Sequence, residues 1–211
     1  MTYRKRTLTH ASCQAPGVEL TETDLDPDPL RQFESWFAAA REAGMRAPEA
    51  MALATATPEG APSARMVLLK GIDERGFVFF TSYESRKGGE LEANPQAALL
   101  FYWAPLGRQV RVEGTAERVP AEESDTYFAS RPPGSRAGAA ASRQSRPLAH
   151  RSELDRAVAA LGDDVARPEW WGGYRVRPER YEFWQHRENR LHDRFLYERD
   201  GSAWSIQRLY P

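Results

Sequence analysis

What most constrains this chain is how its extended segments follow one another. Pro58-Glu59-Gly60, Asp73-Glu74-Arg75-Gly76 and Arg199-Asp200-Gly201-Ser202 are tight turn signals between apolar or alternating runs. Links that short join antiparallel neighbours, because a parallel pair needs a crossover of roughly a dozen residues or more. Strands are accordingly expected over residues 50–57, 63–70, 77–81, 96–102, 108–118, 173–185, 191–198 and 203–210, with 77–81 pairing back on 63–70 as a hairpin. Asp28 as N-cap and Pro29 at the first helical position open a helix. Leu30, Phe33, Trp36, Phe37 and Ala40 give it one apolar face, and Gly44 ends it. Further helices are expected from Ser85 to Asn94-Pro95, over 121–130 and over 152–161. The fold class is therefore α+β, a mainly antiparallel sheet or barrel with peripheral helices. The absence of a βαβ rhythm, of Gly-x-Gly-x-x-Gly and of a Walker loop disfavours a Rossmann or P-loop nucleotide site.

Residues 1–26 are polar and without a period, and read as a mobile arm before a single domain over 27–211. The small, basic stretch 131–147 reads either as a linker or as a loop and short helix over a site. With 211 residues, 41% of them hydrophobic, the chain can bury a real core. Its 29 Lys and Arg against 30 Asp and Glu argue against a whole-molecule grip on nucleic acid or an anionic membrane. No apolar run approaches the roughly 20 residues that span a bilayer. Arg4, Lys5 and Arg6 are not followed by the apolar stretch of a secretory signal. The lone Cys13 allows no intrachain disulfide and suits a reducing cytoplasm, where the protein is expected.

The cations are 26 Arg and only 3 Lys, so Lys70 and Lys87 stand out. None of His10, His150, His186 and His192 has metal-ligand spacing, and no metal site is expected. Ser85-Arg86-Lys87 opens a helix after a strand ending in Phe80-Thr81. Backbone N–H groups, the helix dipole and two cations there form either a phosphate cradle or an ordinary capped surface helix. Lys70 ends an apolar strand, reaching solvent or facing a ligand. Arg65, five residues earlier, is expected on the opposite face. Gln109 is an exposed strand glutamine or a partner for a heterocycle edge. Tyr127, Arg131 and Ser135 are candidate phosphate donors around a Pro-Pro-Gly turn. The densest cluster is Trp184, Arg190, His192, Asp193 and Arg194. Arg190, His192 and Arg194 share parity, so a strand would line them on one face, at a cost unless an anion sits there. A solvated charged edge strand is the other reading. These residues by themselves point to a β-rich domain that binds a phosphorylated aromatic anion, and to no reaction.

From about Leu20 to Pro211 the chain resembles the pyridoxamine 5′-phosphate oxidase family. The resemblance is carried by Arg65-Met66-Val67-Leu68-Leu69-Lys70, Thr81 with Ser85-Arg86-Lys87, Arg108-Gln109-Val110, Ser130-Arg131-Pro132 with Ser135, and Arg143-Gln144-Ser145. It continues through Trp171-Gly172-Gly173-Tyr174, Glu182-Phe183-Trp184-Gln185, Arg190-Leu191-His192-Asp193-Arg194-Phe195 and Arg208-Leu209-Tyr210-Pro211. It implies a homodimeric, FMN-binding split barrel with two flavin sites at the subunit interface. Arg65, Arg86, Lys87 and hydroxyls such as Thr81 and Ser85 would hold the FMN phosphate. Met66, Val67, Leu68, Lys70 and Phe80 would line the flavin site. Gln109, Gln144, Ser145, Trp184 and Arg194 would complete it, some from the partner subunit. Lys70, Tyr127, Arg131 and Ser135 would meet the substrate phosphate. Arg190 and His192, the catalytic pair, would lie over the pyridine ring, Arg190 orienting it and steadying charge.

The activity so implied is oxidation of pyridoxine or pyridoxamine 5′-phosphate to pyridoxal 5′-phosphate, by hydride transfer from C4′ to flavin N5. O2 then reoxidises the flavin and yields H2O2. One departure stands out. The family's Arg-x-x-Tyr pair in the arm is replaced by Ser12-Cys13-Gln14-Ala15, with Tyr3 and Arg4 further back. A related branch that oxidises phenazine precursors is similar at Arg190-Leu191-His192 but lacks the Lys70 and Arg-Pro-x-x-Ser features kept here, which favours a vitamin B6 phosphate. A non-catalytic module binding FMN, pyridoxal phosphate or an anionic polymer is the remaining alternative.

Overall fold

The computed structural model describes residues 18–162 and 164–211. Cys13, His10 and the stretch that replaces the arm pair lie outside the described residues. Nine strands form one sheet in which every pairing is antiparallel: β1 (Ala50–Ala56), β2 (Pro62–Leu68), β3 (Gly71–Asp73), β4 (Gly76–Ser82), β5 (Gln96–Trp103), β6 (Arg108–Arg118), β7 (Trp171–Gln185), β8 (Asp193–Asp200) and β9 (Ala203–Arg208). The order β2-β1-β5-β6-β7-β4-β3 is completed by β8 on β7 and β9 on β8. Five helices, α1 (Pro29–Glu42), α2 (Arg86–Ala93), α3 (Ala121–Ser130), α4 (Pro133–Ala141) and α5 (Arg151–Ala159), flank it among the described residues. The α+β class follows as expected.

Local chemistry sets the helix ends. The Asp28 carboxylate accepts from Leu30 N at 2.9 Å, Pro29 opens α1, and Gly44 follows its end at φ +67°. The apolar face of α1 closes the core: Phe33 meets Phe101 and Phe77 at 4.9 and 5.0 Å, and Trp36 meets Phe183 at 5.3 Å. A smaller cluster of Phe128, Ala137, Val165 and Trp171 seats α3 and α4 against the start of β7. Gly172 and Gly173 permit that seating. A Cβ on Gly172 would lie 2.0 Å from Tyr83 Oη, and one on Gly173 2.6 Å from Val119 Cγ2.

Two expectations are corrected, and one open alternative is settled. Strand β2 does not pair with β4. It pairs with β1 from Pro62 to Leu68, and the hairpin to β4 is made by the three-residue β3 across Asp73–Gly76. The chain turns between Leu68 and Gly71, where Lys70 N donates to Val78 O at 2.8 Å. Residues 18–26, expected in the arm, are docked: Leu20 is buried and its N–H donates to Asp193 Oδ2 at 3.1 Å, while Arg208 grips Glu22. Of the two readings of 131–147, the loop and short helix over a site is the one the structure takes: α4 occupies Pro133–Ala141, packs on α5 and lines a cleft.

The 15-residue β7 organises everything else. It pairs with β6 along its length, with β4 over Trp171–Val176 and with β8 over Arg180–Gln185. Its two ends therefore carry different neighbours, β4 and α3 at one and β8 at the other.

Candidate active site

A cleft of about 860 Å³ opens beside β2, β4 and the starts of α2 and α4. Arg65, Met66, Val67 and Leu68 line it from β2, and Phe80 and Thr81 from β4. Lys70, Arg86, Lys87, Gln144 and Ser145 join them, as do Tyr127, Arg131 and Ser135. Arg65 and Lys70 were expected on opposite faces, yet both reach the cleft because β2 ends at Leu68 and Lys70 belongs to the following turn. Ser85 lies underneath as N-cap of α2, accepting from Gly88 N.

The cleft is an anion trap by composition. Among the described residues, five cations line it and no carboxylate does. Lys87 is buried at 6% exposure, and its Nζ donates to Gln144 Oε1 at 2.7 Å, Thr81 Oγ1 at 3.0 Å and Ser85 Oγ at 3.2 Å. It makes no ion pair among the described residues. Burial, with the Arg65 guanidinium nearby, pushes its ammonium down to about 8. Arg131 stacks over Trp171 at 4.7 Å, and its Nη1 is buried without a hydrogen-bond partner. Burial also pulls Arg131 below the usual guanidinium range. An orphaned donor and a charge-unpaired ammonium facing one cavity are what a doubly charged phosphate would satisfy.

Arg65 is held differently. Its Nη1 donates to Leu53 O and Thr55 Oγ1, and its Nη2 to Ser63 Oγ and to Glu90 Oε2 at 3.2 Å. Glu90, one turn along α2 from Arg86, also accepts from Arg86 Nε at 2.8 Å. Burial raises the Glu90 carboxyl, but hydrogen bonds from Ser63, Thr55, Arg86 and Arg65 outweigh it and hold it at about 2. Sequence reading missed Glu90. The signal was present in its i, i+4 spacing from Arg86. Above the cations, Phe80 stacks on Tyr127 at 4.0 Å and on Trp171 at 5.6 Å, an aromatic wall beside the charge.

The remaining expected residues, Gln109, Trp184, Arg190, His192 and Arg194, do not line this cleft. They form a second patch at the other end of β7. Gln109 on β6 is opposite Trp184, and Trp184 is opposite Arg194 on β8. Trp171 and Trp184 are thirteen positions apart on one strand, on the order of 40 Å along it. In this patch the Arg194 Nε donates to buried Glu182 at 2.9 Å, and Trp184 packs on His192 at 4.5 Å. Burial, with His186, Arg190 and Arg194 nearby, pushes His192 below the usual imidazole range. Its Nδ1 accepts from Arg187 N at 3.1 Å, which leaves the neutral ring's proton on Nε2. The strand expected over 191–198 is β8, Asp193–Asp200, so neither Arg190 nor His192 lies on it and the shared strand face does not form. Arg190 ends a 3₁₀ turn before β8 with φ +62°, next to Asn189 at φ +55°.

A family described as pyridoxamine 5′-phosphate oxidase matches residues 37–163, and one described as pyridoxine 5′-phosphate oxidase C-terminal dimerisation region matches 171–211. The chain belongs to the pyridoxamine 5′-phosphate oxidase family. It is 64% identical over 197 residues to a pyridoxine/pyridoxamine 5′-phosphate oxidase of Rubrobacter xylanophilus, covering 91% of each chain. The crystal structure of PhzG from Burkholderia lata 383 with tetrahydrophenazine-1-carboxylic acid is similar at TM-score 0.87 and 38% identity, over 92% of this chain and 98% of that one. A pyridoxamine 5′-phosphate oxidase-related, FMN-binding protein from Nostoc punctiforme shares the fold at TM-score 0.73 and 18% identity, over 89% of this chain and 100% of that one. The curled antiparallel sheet is thus the split barrel of this family. No helix among the described residues is long and apolar enough to cross a membrane.

Proposed function

We propose that the chain is an FMN-dependent oxidase of pyridoxine or pyridoxamine 5′-phosphate, working as a homodimer in which each cleft is completed by the far patch of the partner. The carrying observation is the acid-free cleft, with Lys87 lacking an ion pair and Arg131 Nη1 lacking any partner. Two phosphates, one from the cofactor and one from the substrate, account for both groups of cations. Arg65, Arg86, Lys87 and Thr81 would hold the FMN phosphate, with Ser85 fixing Lys87 and Met66, Val67, Leu68, Phe80, Gln144 and Ser145 lining the flavin. Lys70, Tyr127, Arg131 and Ser135 would hold the substrate phosphate.

FMN held by these residues would supply the redox chemistry, two-electron oxidation of the substrate at C4′ with O2 as the final acceptor. The chain's part is placement. The edge of Gln109 and the Trp184 ring complete the flavin's surroundings with Arg194. Arg190 orients the pyridine ring and steadies charge as C4′ is oxidised. His192, kept neutral by its surroundings, presents a proton at Nε2 to a substrate acceptor. With an amine substrate, the imine product hydrolyses to aldehyde and ammonia.

A second reading, oxidation of a phenazine precursor, is favoured by the likeness to PhzG. Lys70, Arg131 and Ser135 in the cleft favour a phosphate instead. Anaerobic mixing of the FMN-loaded protein with pyridoxine or pyridoxamine 5′-phosphate separates the two. Rapid bleaching of the flavin, restored by air, is expected. An unbleached flavin that a phenazine precursor does reduce would establish the second reading.

A further inference from the structure

We infer that Asp193 is a positioning residue. It clasps the loop that carries Arg190 and His192 and ties it to residues 20–22 through Leu20 N and through Arg208. This rests on the reading of Arg190 and His192 as substrate groups.

The loop needs holding. Asn189 and Arg190 are consecutive non-glycine residues in the left-handed region, which Asn tolerates and Arg rarely adopts. Within the loop, Leu191 N donates to Glu188 O at 3.1 Å. Its 3₁₀ turn buries no residue, and Leu191 is 67% exposed. The restraint comes from its ends. Arg187 N donates to His192 Nδ1, and Arg187 Nη1 reaches Asp193 Oδ2 at 3.3 Å, closing a seven-residue ring of chain from 187 to 193.

Asp193 is itself fixed from two remote segments. Its Oδ2 accepts from Leu20 N at 3.1 Å, and its Oδ1 from Arg208 Nη1 at 2.9 Å. Arg208 is locked in turn by Glu22 at 2.9 and 3.0 Å, by Leu20 O at 3.3 Å and by stacking on Phe195. One 9%-exposed carboxylate therefore joins residues 20–22, the loop and the last strand. Arg187 links the two groups, its backbone N–H on His192 Nδ1 and its Nη1 on Asp193 Oδ2, so the carboxylate holds that ring through Arg187. Its charge partners are Arg187 and Arg208, each bonded to one of its two oxygens.

The test uses the full-length, FMN-loaded dimer with Asp193→Asn, Arg187→Gln and the double variant. With pyridoxine 5′-phosphate, Asp193→Asn is expected to lower kcat/KM about 10- to 100-fold, since small misplacements of a reacting group have effects of that size. FMN affinity should stay within about twofold, because the cleft is untouched. Arg187→Gln should act in the same direction, and the double variant should be no worse than Asp193→Asn alone. Loss confined to melting temperature or to FMN affinity, with kcat/KM within about twofold of wild type, overturns the proposal. If wild-type enzyme oxidises no B6 phosphate, the functional reading fails and the clasp is judged by NMR. A shift of the His192 imidazole resonances in Asp193→Asn then supports it, and unchanged resonances overturn it.

Discussion

The two ends of β7 differ in how their buried cations are answered, although Arg65 and Arg86 at the cleft share Glu90. At the Trp171 end, Lys87 and Arg131 face a cavity with no carboxylate to answer them. At the Trp184 end, Arg194 is answered by Glu182, and Arg187 and Arg208 by Asp193. Cations left unpaired in a folded protein cost stability unless a ligand takes the place of the missing carboxylate. Paired ones hold a shape. On the reading proposed above, the first end receives an anion and the second presents a paired surface to it, one copy's patch closing another copy's cleft.

The sharpest break of this contrast is Lys87→Met. FMN affinity should fall about 10- to 100-fold, the scale of a charge-assisted hydrogen bond to phosphate, as read by flavin fluorescence quenching. The same change should raise the melting temperature of the FMN-free protein by a few degrees, since a buried unpaired charge is replaced by an apolar chain. Thr81 and Ser85 keep other partners, so no acceptor is orphaned. A drop in melting temperature would show that Lys87 belongs to the framework rather than to a ligand.

Arg190→Ala should lower the rate of flavin reduction about 100-fold in rapid mixing, with FMN affinity unchanged. Loss of FMN instead would move Arg190 out of the substrate's surroundings. Glu182→Gln, at the paired end, should cost about 1–3 kcal/mol in denaturant melts, because Arg111 and Arg194 lose their shared carboxylate.

The smallest effect is a pH dependence of opposite sign in two measurements. Lys87 titrates near 8 when folded and at the ordinary 10.5 when unfolded, so the unfolded chain binds more protons between those values. Stability of the FMN-free protein should rise with pH across that window, while FMN affinity falls as the ammonium is lost. Equal pH profiles in wild type and Lys87→Met would remove Lys87 as the source.

Much of this architecture is legible in the residues. Asp28, Pro29 and Gly44 mark both ends of α1 because capping is local chemistry, and Ala121–Ser130 matches α3 to the residue. Lys70, Lys87, Tyr127, Arg131 and Ser135, read from the residues as anion-binding candidates, line one cleft, and Met66, Val67, Leu68, Gln144 and Ser145, which came with the family resemblance, line it too. Pairing of β2 with β1 instead of β4 was not legible, since alternation fixes which face a strand shows and not which neighbour it takes. Nor was the backbone of Arg190. Left-handed φ at Arg190 is not a preference its side chain announces, and the Arg187–Asp193 contact beside it joins residues whose pairing a sequence does not display. Glu90 escaped for a related reason, because its importance lies in four donors brought from β1, β2 and α2.

The central claim, that the two ends of β7 form one site only between copies, is tested most directly by mixed dimers. Lys87→Met destroys the cleft and Arg190→Ala the patch. Each homodimer should be nearly inactive. Co-expressed with separate tags, random pairing leaves half the dimers mixed, each with one intact cleft facing one intact patch. About a quarter of wild-type activity should return. Activity that stays at the sum of the two inactive variants would mean that cleft and patch act within one chain, or not together at all.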